Sequence, residues 1–371
     1  MQMPDRYCVM LLILLLSLQG CDKDQGNRTP SSADRRNMLE NYATHLIIPA
    51  YQSLKAQADR LKTMTDTFAT NPDLQSLDTL QHAFVEAYQA WQAAEVFELG
   101  PARDMLLRSS LNTFPTDTTL IGNNIRNGSY NLDAAPNFKA KGFPALDYLL
   151  FGLGADNLLI LSFYTTDAYA SGRLNYLKDV AGEIKTKTDA VLNAWLQGYA
   201  ETFKNADGTD AGSSIALLVN ELNYTWELTK NARIGIPLGK KSLNVPLPEK
   251  TEAYYSGLSL DLAVLNMMQI QRVFTGESAS GIAQGPGLKA YLDKLEAKHS
   301  GKLLSDTILA QINHAIASTL LIPNPLSEAV VQNPQAVDDA YREIQKTVVL
   351  LKTDMPSVMG ILITYQDSDG D

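Results

Sequence analysis

The sequence has few cysteines, few histidines and an excess of acidic over basic residues, and each feature excludes a class of function. Only two of the 371 residues are cysteine, which rules out a fold held together by several disulfides. The four histidines are widely separated, so the His-Glu-x-x-His motif of zinc hydrolases is absent. With 31 Lys and Arg against 41 Asp and Glu the net charge is −10, whereas phosphate-backbone binding needs clustered positive charge. We therefore expect no nucleic-acid partner.

Motifs for nucleophilic and phosphate chemistry are missing as well. No Gly-x-Ser-x-Gly occurs, and that motif would need an α/β sheet, which the sequence does not predict. Gly152-Leu153-Gly154 follows a helical pattern and lacks the third glycine of a dinucleotide-binding loop. The tail 367–371 has three carboxylates but stops short of a calcium loop, so we interpret it as a solvated acidic end. The residues themselves indicate no catalytic set.

The N-terminal segment is predicted to be a lipoprotein signal peptide. A single arginine precedes the apolar run 7–18, which is too short to span a bilayer comfortably. The run leads into Leu18-Gln19-Gly20-Cys21, which resembles a bacterial lipobox, where a small residue precedes the cysteine that receives the lipid. We expect residues 1–20 to be removed, Cys21 to anchor the protein in the bacterial cell envelope, and residues 21–33 to form a tether. An ordinary signal peptide or a short anchor helix is the alternative.

The rest of the chain carries helical periodicity, beginning near Asp34, the predicted N-cap of the first helix. The clearest helix repeats apolar residues every three or four positions: Leu77, Leu80, Phe84, Ala87, Trp91 and Ala94. No stretch of length alternates apolar and polar residues with the period of two that half-buried strands show. A turn-rich run at 205–212 separates two helical halves. The sequence thus predicts an all-α protein of two antiparallel helical bundles, at residues 34–207 and 208–371.

One stretch, residues 141–152, predicts a short helix with a single carboxylate. It reads Lys-Gly-Phe-Pro-Ala-Leu-Asp-Tyr-Leu-Leu-Phe-Gly. Pro144 fits the first turn of a helix, where its missing N–H would have no partner anyway. Three leucines are spaced for one apolar face, and Asp147 lies on the same side of the helix as Pro144. We expect a short buried helix that presents the Asp147 carboxylate.

This stretch resembles the signature segment of the imelysin family, also called peptidase family M75. The family pattern is Gly-x-His-x-x-Glu followed by Tyr or Phe and two leucines. The present chain reads Gly142-Phe143-Pro144-Ala145-Leu146-Asp147-Tyr148-Leu149-Leu150. Four flanking segments resemble the family too, and they begin at Trp91, Asn112, Arg233 and Glu252. In this chain a proline therefore stands where the family has His, and an aspartate where it has Glu.

The resemblance implies two helical bundles with the signature helix near their junction and a ligand site around it. The candidate site residues come from the motif, from nearby carboxylates and from the segment after a Gly/Pro-rich loop: Gly142, Pro144, Asp147, Glu95, Glu98, Asp117, Tyr255 and Ser256. A helical His with a Glu three residues later would give a metal a nitrogen and an oxygen ligand. Here Asp147 is the one candidate ligand left in the motif, for iron or another divalent metal. A hydrogen bond or ion pair in the core is its other interpretation.

Three functions stay open. The first is a lipid-anchored envelope protein that binds a ligand or partner. For it the resemblance implies a setting in iron uptake, with the membrane and iron-uptake proteins of the envelope as partners. The second is a metal-dependent peptidase, the activity implied by the family name. The third is a structural or scaffolding lipoprotein. Because Pro144 and Asp147 replace the His and Glu of the motif, we favour the first over the second and expect no catalytic residues.

Overall fold

The structure, a computed structural model, describes residues 29–281 and 284–365. The predicted signal peptide, Cys21 and the acidic tail 367–371 lie outside these residues. Within the described part of the chain, no helix is both long and apolar enough to cross a bilayer. The lipid anchor therefore stays a prediction.

The first half of the described chain is helical from Ser32 onward. Its α-helices are α1 Ser32–Asn41, α2 Ile48–Thr70, α3 Leu74–Ala94, α4 Pro101–Asp104, α5 Leu107–Leu111, α6 Thr118–Asn127, α7 Gly142–Phe151, α8 Asn157–Thr165, α9 Ala170–Ala194 and α10 Ala200–Asn205. The expectation that Asp34 caps the first helix is wrong, because Ser31 is the N-cap. The Ser31 hydroxyl accepts the Asp34 N–H, and the Asp34 carboxylate accepts the Ser31 N–H in return, so the pair forms a capping box.

The second half is also helical. Its α-helices are α11 Ser214–Leu228, α12 Ile236–Leu238, α13 Ser259–Thr275, α14 Leu288–Lys294, α15 Leu304–Leu320, α16 Leu326–Gln332, α17 Pro334–Val349 and α18 Met355–Met359. One hairpin pairs β1, Lys298–His299, with β2, Lys302–Leu303, in antiparallel register. Because each strand has only two residues, the prediction of an all-α fold is confirmed.

Wider π-helical turns connect several of these helices end to end. They are Tyr42–Ile47 between α1 and α2, Trp195–Tyr199 between α9 and α10, Thr229–Gly235 between α11 and α12, and Leu350–Asp354 between α17 and α18. A π turn adds a residue to a helical turn and so redirects the side chains that follow, and such turns are frequent at functional sites. One of the four, Thr229–Gly235, carries the buried Arg233.

The long helices pack against one another around a continuous hydrophobic core. In the first half α2 lies between α3 and α9, and in the second half α15 packs on both α13 and α17. Helix α3 also contacts α13, which joins the two halves. Every residue of the predicted apolar face of α3, Trp91 included, is fully buried. The periodicity of that helix therefore identified the core-facing side correctly.

Candidate functional site

The signature helix α7 starts against the backbone of α5. Gly142 has φ +69°, and a Cβ at this position would collide with the carbonyl oxygen of Leu111. Glycine is the residue that tolerates both this dihedral and this contact, so it fixes the start of the helix. Lys141 precedes it and buries its ammonium, with Nζ 2.6 Å from Oε1 of Glu183 on α9. Pro144 is buried in the first turn, where helix N–H groups have no intrahelical acceptor.

Asp147 of α7 is buried and connects the helix to a loop of the second half. Its Oδ2 accepts the N–H of Tyr255 at 2.9 Å, and its Oδ1 accepts the N–H of Ser256 at 3.0 Å. Burial raises the pKa of Asp147 to about 6, against the hydrogen bonds, which lower it. The structure thus brings together three of the predicted site residues, Asp147, Tyr255 and Ser256. The carboxylate acts as the acceptor that positions the loop.

A small hollow lies beside Asp147. Its volume is about 50 Å³, and its walls include Phe114, Pro115, Pro144, Tyr254 and Tyr255. A volume of this size suits one or two water molecules rather than a small-molecule ligand. Outside it, Tyr148 packs on Tyr255 and Tyr255 on Tyr254, with ring centroids 5.2 and 5.1 Å apart. The site therefore presents an aromatic surface rather than a deep pocket.

Behind the hollow a buried ionic network is centred on Arg233. Its Nη2 lies 2.6 Å from Oε2 of Glu95, and its Nε lies 2.6 Å from Oε2 of Glu252. All three side chains are at least 98% buried. The π turn Thr229–Gly235 places Arg233, and a 3₁₀ turn, Glu95–Phe97, places Glu95 at the end of α3. Irregular helical turns from both halves therefore build the network.

Neutral side chains donate further hydrogen bonds to the two carboxylates of this network. Oε1 of Glu252 accepts hydrogen bonds from Tyr88, Gln92 and Asn112 at 3.2, 3.2 and 2.8 Å. Asn266 donates to Oε2 of Glu95 at 3.0 Å. Because a buried polar group without partners is costly, these bonds offset part of the cost of burying the two carboxylates.

A second cation, Arg108, extends the network to the protein surface. Its Nη2 lies 2.5 Å from Oε1 of Glu221, its Nε lies 3.4 Å from Oε1 of Glu95, and its backbone N–H donates to Glu98 at 2.7 Å. Burial, opposed by the charge of Arg108 and reinforced by that of Glu221, raises the pKa of Glu98 to about 7. Glu98 is thus the carboxyl of the network that titrates near neutral pH.

The sequence prediction missed most of this network. It named Glu95 and Glu98 but gave no role to Arg233, Glu252 or Asn266, although two of these begin segments that resemble the family. A signal was present, because four charged residues, Glu221, Glu227, Lys230 and Arg233, lie within thirteen positions of one helical stretch, and all four are buried. Asp117 has a different role from the one expected. It is exposed and caps α6 by accepting the N–H of Leu120 at 2.9 Å.

Comparison with known sequences decides the family. The sequence model of the imelysin family, Peptidase M75, matches residues 47–353, which is most of the chain and includes α7 and both sides of the ionic network. The chain belongs to the imelysin family.

Individual relatives agree with this assignment. Iron-regulated protein A of Synechococcus elongatus is 22% identical over 306 residues, which span 78% of this chain and 76% of that protein. A crystal structure of an iron-regulated protein A precursor from Parabacteroides distasonis superposes with a TM-score of 0.72 at 19% identity, over 89% of this chain and 97% of that one. An imelysin-like protein from Psychrobacter arcticum gives 0.69 at 17% identity, over 90% and 98%. At these identities the structures establish the shared imelysin fold.

The residues of this imelysin do not fit a resident metal at the motif. Pro144 offers no ligand atom, and both oxygens of Asp147 accept backbone N–H groups. Glu95 is held by Arg233, and Asp117 caps α6. Among residues 29–281 and 284–365, no group of three or more His, Cys, Asp and Glu side chains could hold a metal ion. A protein metal site usually needs three or four ligands, so the donor set falls short.

Proposed function

We propose that this imelysin is a lipid-anchored envelope protein that acts in iron uptake by binding a partner, and that it does not cleave peptides. The iron setting rests on the relatives whose names describe them as iron-regulated proteins. The absence of catalysis rests on the chemistry of the motif in this chain. The anchor rests on the lipobox-like run before Cys21.

The hydrogen bonds of Asp147 are the main observation that supports the proposal. A metallopeptidase needs a metal that keeps one coordination position open for water or substrate, and a carboxylate free to bind that metal. In this chain the carboxylate accepts two backbone N–H groups, and the residue three positions before it is proline. These contacts support a positioning role for Asp147, in which it sets the conformation of the loop that carries Tyr254, Tyr255 and Ser256.

The shape of the site favours a macromolecular partner over a small molecule. The hollow of about 50 Å³ is too small to enclose a typical ligand, which needs roughly 300 Å³ or more. The tyrosines beside it are partly exposed, Tyr254 at 39%. Tyrosine is enriched where proteins bind one another, because it gives a large contact area with a polar tip. The aromatic surface formed by Tyr148, Tyr254 and Tyr255 is therefore the proposed contact.

Peptidase activity and metal content test the first part of the proposal. The purified protein should contain far less than one equivalent of iron or zinc, and it should not hydrolyse a mixture of fluorogenic peptides. Cleavage that a chelator abolishes and an added metal restores would overturn the proposal and establish the peptidase alternative.

Growth under iron limitation tests the second part. In the bacterium that carries the gene, Tyr254→Ala should reproduce part of the growth defect of a deletion, because it removes an exposed ring without touching the core. Leu196→Ala is the control, since Leu196 is an apolar side chain that is 55% exposed and lines neither the hollow nor the small pocket beside Tyr148. If the deletion itself has no effect under iron limitation, the iron setting is wrong and the scaffolding alternative gains.

Membrane fractionation tests the anchor. Cys21→Ser should release the protein or leave an uncleaved precursor, because serine cannot carry the thioether-linked lipid. A variant that is still processed and still membrane-bound would rule out the lipobox interpretation.

A further inference from the structure

We propose that a cleft on the first helical half, separate from the hollow beside Asp147, binds a small organic amine, meaning an ammonium group attached to an apolar body. The cleft has a volume of about 780 Å³ and lies between α9 and the two segments 104–106 and 130–133. Pockets that hold small molecules span roughly 300–1,000 Å³. Its size therefore suits a small-molecule ligand, which the hollow beside Asp147 does not.

One wall of the cleft is a single face of α9. Asp179, Glu183, Thr186, Lys187 and Ala190 recur at intervals of three and four residues, so their side chains project in the same direction. The opposite walls supply apolar surface from Met105, Leu106, Leu132 and the ring of Tyr130. The cleft is therefore amphipathic, with carboxylates on one side and hydrocarbon on the other.

The charge of the lining determines the class of ligand. Four carboxylates, those of Asp104, Asp133, Asp179 and Glu183, face one lysine, Lys187. Lys141, behind Glu183, adds a second positive charge, so four negative charges against two leave a net charge of −2. A cationic ligand is complementary to this negative charge. The apolar walls of a concave site strengthen the local electrostatic field and so favour binding of the cation.

Three of the four carboxylates already have an ion-pair or hydrogen-bond partner. Asp133 pairs with Lys187 at 2.7 Å, Asp179 accepts from the Tyr130 hydroxyl at 2.6 Å, and Glu183 pairs with Lys141 at 2.6 Å. These contacts hold the walls in place. Asp104 is exposed, and within residues 29–281 and 284–365 its side chain has no hydrogen bond or ion pair. Asp104 is therefore the carboxylate available to an incoming ammonium group.

Leu106 supplies the apolar contact at a conformational cost. Its backbone is left-handed, with φ +52° and ψ +47°, a region that leucine rarely adopts and glycine adopts freely. Its side chain is 52% exposed at the rim of the cleft, so burial in the core does not compensate for the strain. Strained residues of this kind concentrate at ligand-contact sites. We assign to Leu106 the contact with the apolar body of the amine.

Calorimetric titration of the purified protein with three probes tests the proposal. Phenethylammonium carries both the charge and the apolar body, methylammonium carries the charge alone, and 2-phenylethanol carries the body alone. Phenethylammonium should bind at least about tenfold more tightly than either of the others, with a Kd below about 1 mM. Its affinity should fall as salt is raised, because the charges are partly exposed to solvent.

Two variants locate the binding, each with a matched control. Asp104→Asn removes the free charge, and Asp261→Asn removes an exposed carboxylate elsewhere. Leu106→Gly removes the apolar contact and relieves the strain, while Leu243→Gly relieves an equal φ of +52° at a residue outside the cleft. The two cleft variants should each weaken phenethylammonium binding at least about fivefold, and the controls should change it less than about twofold.

Three results would overturn the proposal. They are equal affinity for phenethylammonium and 2-phenylethanol, unchanged affinity in both cleft variants, or no binding of any probe up to about 10 mM. Leu106→Gly keeps the test informative, because a glycine in a left-handed conformation should not impair folding.

Discussion

Glu98 is the carboxyl group of the ionic network whose pKa lies near neutral pH. Its carboxyl is held beside Arg108 and Glu221, and burial is the largest cause of its raised pKa of about 7. Because this value lies above that of the unfolded chain, the folded state binds the proton more tightly. Glu98 therefore disfavours folding increasingly as the pH rises from about 4.5 to 7, by at most about 3 kcal/mol.

Replacing this carboxyl by an amide should remove the penalty. Glu98→Gln keeps an oxygen that can accept the Arg108 N–H and removes the buried charge. We expect the variant to be about 1–3 kcal/mol more stable than the natural protein at pH 8 and indistinguishable from it near pH 4. Urea unfolding at both pH values measures the difference. Glu328→Gln, a position away from the network, is the control, and an equal effect of both variants would contradict the assignment to Glu98.

At the scale of elements, α3 provides the seam between the two halves. Trp91 lies on the buried apolar face of this helix, and its Nε1 has no hydrogen-bond partner among the described residues. Trp91→Ala should therefore lose packing alone and cost about 3–5 kcal/mol in urea unfolding. Leu74→Ala, at an exposed position on the same helix, should cost less than about 1 kcal/mol. A loss below about 1 kcal/mol at Trp91 would mean that the ring is not in the core.

The start of α7 depends on backbone contact as well as on a positive φ, and two glycines separate these effects. Gly128 has φ +65°, and a Cβ added there would have no heavy atom within 4 Å, whereas Gly142 has φ +69° and its Cβ would meet Leu111. Gly128→Ala should cost about 1–2 kcal/mol, from strain alone. Gly142→Ala should cost clearly more, and should weaken the Asp147 contacts with residues 255–256. Equal costs in thermal unfolding would show that the Leu111 contact is unimportant.

The sequence predicted elements better than it predicted their ends and their junctions. The period of α3 was decisive because one face is buried along its whole length. The N-cap was misplaced by three residues, because serine and aspartate are both common N-cap residues. The reciprocal hydrogen bonds in the structure show that Ser31 is the N-cap and Asp34 the third residue of the helix. The π turn that contains Arg233 was not predicted. In a π turn each backbone N–H bonds to the carbonyl five residues earlier instead of four, and this change leaves no pattern in the types of side chain.

The candidate site was predictable in position but not in chemistry. The resemblance placed Asp147, Tyr255 and Ser256 in one region, and the structure brings them within hydrogen-bond distance. What the sequence left open was whether Asp147 faces a ligand or the backbone, because that depends on a loop more than 100 residues away. The same holds for Arg233, whose partners Glu95 and Glu252 come from both halves.

At the scale of the whole molecule, Arg233 connects the two halves by charge where α3 and α13 connect them by packing. Replacing it by Met would leave Glu252 buried without its cation and would leave Glu95 with only the longer contact to Arg108, at 3.4 Å. Breaking a buried pair in this way typically costs about 3–5 kcal/mol, because an uncompensated charge remains in a medium of low polarity. Arg342 offers a matched control, since its ion pairs with Asp338 and Asp339 lie on the surface of α17, where such pairs contribute about 0–1 kcal/mol.

We expect Arg233→Met to destabilise the protein by about 3–5 kcal/mol and Arg342→Met by less than about 1 kcal/mol. Tryptophan fluorescence and circular dichroism during urea unfolding measure both the loss and its cooperativity. Trp91 and Trp195 report on the first half and Trp226 on the second. In the natural protein the fluorescence and circular-dichroism signals should change over the same range of urea concentration, because one core spans both halves. In Arg233→Met they should separate, since the junction is weakened more than either bundle. If the two arginine variants lose equal stability, the network does not hold the halves together, and the packing of α3 against α13 is sufficient.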